Sequence, residues 1–496
     1  MSPRRTFLLA FLAYFLLAGA WALALPVNGT YDEKQHLVRA YAVWTGQFIP
    51  HARGVDATGL PADAIDGPRS LLPADADCTW HPKPPKPASC QQPVTDRTET
   101  LMPTSAGRYS PVYYLAVGLP LRLSPDGTGL IWARLLSAAL NALFLAAAAM
   151  IAVRLGNKVL LAALVLVTTP LAIDLNGAIN PGGLENTAGI LLFVALMAAL
   201  KNGRGTQYRQ NLILSGVAAA TLASVLHLGV VLAALAILAC FLIAGWPPVW
   251  AMLRSRTAWL WFGLPSIAGA VFAVVWLFAS GVLSITVPDR PRQLTTGQIM
   301  EGLVTTRAEF YARQIIAQFG YGETTVSPFM IFLWYAMIAV LVIPALWRAN
   351  WRIRLAIAGI FVACYAILAG LEFHYAPLVN WYAHSRYIMP LGAAIVLGAA
   401  FSASLRTDRL VDDRLLLALV AITVPLQLYA LARVMTRFQV GIDAGLHPFG
   451  GTWRPVAGPL LPLVLCFVGG LLLAVMVKNP FVRPAPQLST ANTLSN

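Results

Sequence analysis

Apolar runs of roughly 18–22 residues recur along this chain, each set off by a short polar or basic connection. A helix of that length crosses a hydrocarbon core of about 30 Å. Hydropathy places the runs at 6–25, 129–153, 159–175, 184–200, 210–227, 229–245, 257–281, 327–347, 355–371, 387–405, 415–432 and 457–477. One further run at 111–123, P-V-Y-Y-L-A-V-G-L-P-L-R-L, would reach only about 20 Å as a helix. The pattern predicts an all-α polytopic membrane protein of about twelve spans, forming one domain over 1–480.

Basic residues orient the spans. With 111–123 not crossing, one set of connections holds Arg4-Arg5, Arg154/Lys158, Lys201/Arg204/Arg209, Arg254/Arg256, Arg348/Arg352/Arg354, Arg406/Arg409/Arg414 and Lys478/Arg483. The short opposite connections, at 176–183, 228 and 372–385, hold no Lys or Arg. Excess Lys and Arg marks the cytoplasmic side, so both termini are assigned there and 111–123 becomes a short surface or re-entrant helix. The long segments 26–128, 282–326 and 433–456 are then extracytoplasmic, and 481–496 is a polar, disordered cytoplasmic tail. Much of 52–107, rich in Pro, Gly and Asp, is predicted to be irregular. The opening M-S-P-R-R with Thr6–Leu25 has the make-up of a secretory signal cleavable near Ala22-Leu23-Ala24, but its apolar stretch is longer than a usual signal core. That length assigns it as a retained first span.

A composition of 58% hydrophobic and 11% charged residues excludes an ordinary soluble domain. The net charge of +14 lies largely in the connecting loops, so nucleic acid is not an expected partner. Cys240, Cys364 and Cys466 fall inside apolar runs as inert thiols. Cys78 and Cys90 flank T-W-H-P-K-P-P-K-P-A-S; a disulfide there requires an oxidising compartment, the alternative being two free surface thiols.

The chemistry concentrates just after the first run, in P-V-N-G-T-Y-D-E-K-Q-H-L-V-R-A-Y-A-V-W. On a helix Asp32, His36 and Arg39 share one face, and Leu37, Tyr41, Trp44 and Phe48 line the other. This predicts an amphipathic helix at the membrane surface, with ionisable groups turned from lipid. Asp174, Glu185, His227, Glu372, His374, His384 and Arg386 fall at the same outer ends of their spans, a convergence that points to an outward-facing site. Each has a plainer reading: Asp32 or Glu33 as helix caps, His227 as a core histidine, Arg386 as a snorkelling anchor, the aromatics of 375–387 as an interfacial belt. No His/Cys cluster has zinc spacing and no glycine-rich loop suits a nucleotide.

An ordered series of motifs carries a resemblance: D-E-K-Q-H-L-V-R-A, S-P-V-Y-Y, W-A-R-L-L-S-A-A-L-N, T-P-L-A-I-D-L-N-G-A-I-N-P-G-G, Q-F-G-Y-G-E-T at 318–324 and H-S-R-Y-I-M-P at 384–390. Over most of residues 1–400 the chain resembles the bacterial domain-of-unknown-function family 2142, grouped with the GT-C superfamily of membrane glycosyltransferases. Two departures stand out. Gly182-Gly183 replaces the acidic residue that often follows N-P in the family, leaving Glu185 as the substitute, and H-S-R-Y replaces G-R-Y while keeping Arg386 and Tyr387.

The resemblance implies a GT-C-like fold in the bacterial inner membrane and transfer of a sugar outside the cytoplasm from a polyprenyl-phosphate donor to a glycan, lipid or protein acceptor of the cell envelope. It assigns Asp32 as catalytic base with Glu33 beside it, and Arg386, with Arg39, to the donor phosphate. His36, Glu185, His384, Tyr387, Glu372 and His374 are supporting residues. Some members of the superfamily use a divalent metal and others none, and Asp32 with Glu33 would be its ligands here. Competing readings are a lipid or polysaccharide transporter and a non-catalytic assembly protein. Against a carrier, the chain shows no internal repeat and its polar groups favour one face.

Overall fold

In hydrocarbon an apolar run has no partner for its backbone except itself, and helices are the outcome. The computed structural model describes residues 2–55, 61–81, 83–282, 293–320, 322–402 and 412–479. The helices are α1 (Pro3–Ala24), α2 (Glu33–Trp44), α3 (Val112–Val117), α4 (Leu119–Leu123), α5 (Gly127–Arg154), α6 (Lys158–Val167), α7 (Pro170–Asn176), α8 (Pro181–Asn202), α9 (Thr206–Val225) and α10 (Gly229–Ala244). They continue with α11 (Trp246–Leu253), α12 (Arg256–Ala279), α13 (Thr296–Val304), α14 (Thr306–Ala317), α15 (Pro328–Arg348), α16 (Trp351–Val379), α17 (Met389–Phe401), α18 (Asp413–Gln439) and α19 (Leu460–Lys478).

Each of the twelve apolar runs is helical over most of its described residues, but among the described residues eight helices are long and apolar enough to cross a membrane: α1, α5, α8, α12, α15, α16, α18 and α19. The pair α6–α7, bent by 73°, brings the number to nine. The bend is built by Thr168-Thr169-Pro170: Thr168 leaves helical geometry, and Pro170 opens α7 where its missing N–H costs no helical bond. The remaining three are shorter or more polar. α10 and α17 have 16 and 13 residues, and α9 begins T-Q-Y-R-Q-N.

α8 sits at the centre, buried along nearly its whole length and packed against α5, α9, α10 and α17. At Gly189 it meets the start of α17 so closely that an added Cβ would lie 2.7 Å from Pro390. Small residues permit such approaches between membrane helices. The contact fixes where α17 begins, and with it the turn Ser385–Ile388 just before.

Segment 26–128 is more ordered than its composition predicts. Strands β1 (Ala52–Val55), β2 (Pro61–Pro68) and β3 (Glu99–Thr104) form an antiparallel sheet in the order β1-β2-β3. β2 lies in the middle and, apart from the exposed Asp66, is buried on both faces, so it lacks the alternation that would have announced it. A Cys78–Cys90 disulfide staples the segment, with Cα atoms 6.2 Å apart. The run 111–123 forms α3 and α4, broken at Gly118, which lies against Ala40 and Trp44 of α2.

The structure corrects or refines three expectations. The amphipathic surface helix is instead an interior one: α2 is buried from His36 to Val43, because its polar face is met by internal partners and its apolar face by the sheet. Segment 282–326 holds α13, α14 and the short hairpin β4 (Gln318–Phe319) and β5 (Thr324–Thr325). The connections expected to begin at 372 and 433 start later, since α16 runs to Val379 and α18 to Gln439. The tail at 481–496 and Arg406, Arg409 and Arg483 lie outside the described residues.

Candidate functional site

Asp32 does not lie in the helix it precedes. It is the N-cap of α2, in the left-handed region at φ 54°. A non-glycine residue held there is uncommon, and such strain gathers at functional positions. The turn rotates Asp32 away from its neighbour, so the acidic pair separates. Asp32 meets Arg386 from the turn before α17, whereas Glu33 meets Arg134 of α5.

The Arg386 guanidinium donates through Nη2 to Asp32 Oδ2. It lies 4.6 Å from the centre of the Tyr31 ring and 5.3 Å from that of Tyr387. Its Nε is buried and, among the described residues, has no hydrogen-bond partner. An unpaired buried donor on a cation is costly, and a bound anion would supply the missing acceptor. Burial alone would raise the Asp32 pKa, but the charge of Arg386, with His36 and His384 near it, holds the carboxyl down at about 2.

Glu33 and Arg134 form a closed set. Arg134 donates from Nε to Glu33 Oε1 at 2.6 Å, from Nη1 to the carbonyls of Ala22 and Leu25 at 3.0 and 2.8 Å, and from Nη2 to the Pro26 carbonyl at 2.6 Å and to Glu33 Oε2. Glu33 also accepts the Ile179 N–H at 3.2 Å. Every donor of the arginine is used.

Arg39, expected at the phosphate, is engaged in the same way. Its guanidinium donates to the carbonyls of Tyr109, Gln47 and Phe48 at 2.6–3.3 Å and is fully buried. Its place is a clamp between α2 and the following loop. Glu372 likewise accepts from Arg307, from the Tyr311 hydroxyl at 2.6 Å and from the Tyr382 N–H at 2.9 Å. His374 is exposed against Tyr375, apart from this cluster. Glu185 is buried on α8 with Oε1 unpartnered among the described residues.

His36 contacts the Tyr114 hydroxyl at 2.8 Å and, through the Tyr109 ring, is linked to His227. Burial holds its pKa down at about 3 despite Asp32, so it is neutral. Asp174 accepts from the Thr30 hydroxyl at 2.7 Å, and Asn180 donates to the Tyr31 carbonyl at 2.8 Å. The N-P-G-G loop therefore reaches the site through Asn180 rather than through an acid.

Several residues here were missed from sequence. Gln314 of α14 is buried and joins Tyr31, His384 and Ser385. Ser385 and Ile388 also line an apolar cavity of about 380 Å³ between α14, α15, α16 and α17. On its wall the buried Asn186 amide has neither polar atom hydrogen-bonded among the described residues. The signals were weak: a glutamine in an amphipathic stretch of an outer loop, and an asparagine one position past Glu185.

A divalent metal does not fit Asp32 and Glu33, since each carboxylate is directed to its own arginine. Among the described residues no three His, Cys, Asp or Glu side chains converge to hold one.

The family model described as "Predicted membrane protein (DUF2142)" matches residues 15–396. No curated protein matches the sequence. Among solved structures, ArnT from Cupriavidus metallidurans in the apo state gives a TM-score of 0.43 at 12% identity, covering 92% of this chain and 74% of that one. Its structure bound to undecaprenyl phosphate gives 0.42 at 13% identity, covering 94% and 75%.

Proposed function

We propose that this chain, which belongs to the DUF2142 family of predicted membrane proteins, is a membrane glycosyltransferase that takes a sugar from a polyprenyl-phosphate donor. The observation that carries the reading is Arg386, held between Asp32 and two tyrosine rings with a buried, unpartnered Nε, in a turn that also walls an apolar cavity. A phosphate on a long hydrocarbon chain matches both halves: oxygens for the guanidinium and a chain for the cavity.

In the reaction an acceptor hydroxyl attacks the anomeric carbon as the bond to the phosphate oxygen breaks. The hydroxyl proton passes to the Asp32 carboxylate, and the leaving electron pair stays on the polyprenyl phosphate, whose charge is met by Arg386. Ligand-free Asp32 is a weak base because Arg386 stabilises its anion. A donor phosphate that draws the guanidinium away leaves a partly buried carboxylate with less compensation and a stronger hold on a proton.

We assign about twelve membrane passes, both termini to the cytoplasm and the site to the extracytoplasmic side, on the distribution of Lys and Arg among the connections. The acceptor is a glycan, lipid or protein of the envelope. Purified protein in lipid, offered a panel of polyprenyl-phosphate sugars, should release or transfer sugar from one of them. No turnover with any donor would favour a carrier or a scaffold.

A further inference from the structure

We infer that His384 binds the donor phosphate as a neutral hydrogen-bond donor through Nε2–H, in a tautomer dictated by Gln314. This rests on the donor reading above. The argument begins with a group whose role cannot change: the Ser385 backbone N–H, which can only donate. It lies 2.7 Å from Gln314 Oε1, and the Ser385 hydroxyl lies 3.1 Å from the same atom. That orients the amide, so its NH₂ faces the other way. There it meets the Tyr31 hydroxyl and His384 Nδ1, the latter at 2.9 Å. The Tyr31 hydroxyl accepts from the amide and donates onward to the Gln318 carbonyl at 3.4 Å.

A nitrogen that accepts from an NH₂ carries no proton, so neutral His384 must carry its proton on Nε2. Burial, reinforced by the charge of Arg386, holds its pKa down at about 3 against the opposing pull of Asp32, which keeps the ring neutral. Nε2 has no protein partner among the described residues, and the ring is only partly buried. The ring packs against Tyr31 and Tyr387, with centroids 5.2 and 5.8 Å away, the same two rings that flank the Arg386 guanidinium. Arginine and imidazole N–H groups thus border one space, with charge from the first and a directional uncharged contact from the second. A second cation there would compete with Arg386 for the same anion and add to its desolvation; a neutral donor does neither.

The test uses full-length protein in lipid nanodiscs with nitrogen-15 in its histidines, the His384 signals being identified by their loss in His384→Phe. The ligand-free spectrum should show Nδ1 unprotonated and Nε2 protonated, and polyprenyl monophosphate should shift the Nε2–H signal. His384→Phe should weaken polyprenyl monophosphate binding about tenfold to a hundredfold while leaving the uncharged polyprenol unaffected. His384→Gln, whose amide can reach the Nε2 position, should recover part of that loss and keeps the test open should the Phe variant fold poorly. A protonated Nδ1, or full phosphate affinity in both variants, overturns the assignment. If inorganic phosphate binds through His384 while polyprenyl monophosphate does not, the tautomer argument stands and the lipid donor reading falls. Wild-type protein that binds neither overturns both.

Discussion

Two arginine–carboxylate pairs start from adjacent residues and end in opposite conditions. The Arg134 and Glu33 side chains are 1% and 0% exposed, with all five guanidinium donors matched by carboxylate or carbonyl oxygens. The Arg386 and Asp32 side chains are 7% and 30% exposed, with Nε unmatched and Asp32 in a left-handed backbone conformation. Charge and burial alone would rank the first pair as the more unusual. Completeness separates them. A saturated ion pair has no capacity left for a ligand, while an unsaturated one at a partly open position does.

The sharpest way to break the comparison is Asp32→Asn. It should lower sugar transfer by about 10²–10⁴-fold, far beyond what the lost ion pair with Arg386 takes from the melting temperature, because a general base is lost while a polar group of the same shape keeps the protein folded. Unchanged turnover would remove Asp32 from the chemistry. Glu33→Ala or Arg134→Ala should act on the fold instead. Each strands a buried charge at a cost of about 3–5 kcal/mol, visible as a fall in thermal stability and in yield of folded protein. A variant of either that melts like the parent would mean the pair is less sealed than its hydrogen bonds indicate.

Substitution of Arg386 should fall between these. Arg386→Ala should weaken donor use by about 2–5 kcal/mol, read in the KM for donor, with acceptor dependence less affected. Arg386→Lys, which keeps the charge and loses the planar fork, should lie part-way. Equal donor use by both variants would move the phosphate elsewhere. The smallest effect concerns pH. The lowered pKa of Asp32 means that its contribution to stability is complete above the ordinary carboxylate range and is lost as pH falls from about 4 towards 2. Since the donor should draw Arg386 away, the acid limb of kcat should lie at higher pH than that of kcat/KM. Coincident limbs would indicate that the ion pair persists in the complex.

The helices were legible because hydrocarbon imposes one rule on every residue of a long run. Loop charges assigned Asp32 and Arg386 to one membrane face, but that the two side chains meet, 354 positions apart, came only from the structure. What could not be read was any feature created by a partner. Glu33 looked equivalent to Asp32 until the backbone at position 32 turned them apart. Arg39 looked free until carbonyls from Gln47, Phe48 and Tyr109 closed on it. The polar face of α2 suggested water because the sequence does not reveal that Arg134 and Tyr114 wait inside. β2, covered on both sides, carried no period for a strand to be recognised by.

The Arg134 cluster also bears on how the protein is made. The chain grows from its amino terminus, so Glu33 is synthesised 101 residues ahead of Arg134. In the proposed orientation the acid is already across the membrane when α5 begins to thread. Arg134, in the second turn of that helix, is an expensive passenger in lipid until something neutralises it. The waiting carboxylate, together with the carbonyls of Ala22, Leu25 and Pro26 at the end of α1, forms a dock for that one side chain. Those contacts set the depth of α5 against α1 and close the intervening segment into a loop.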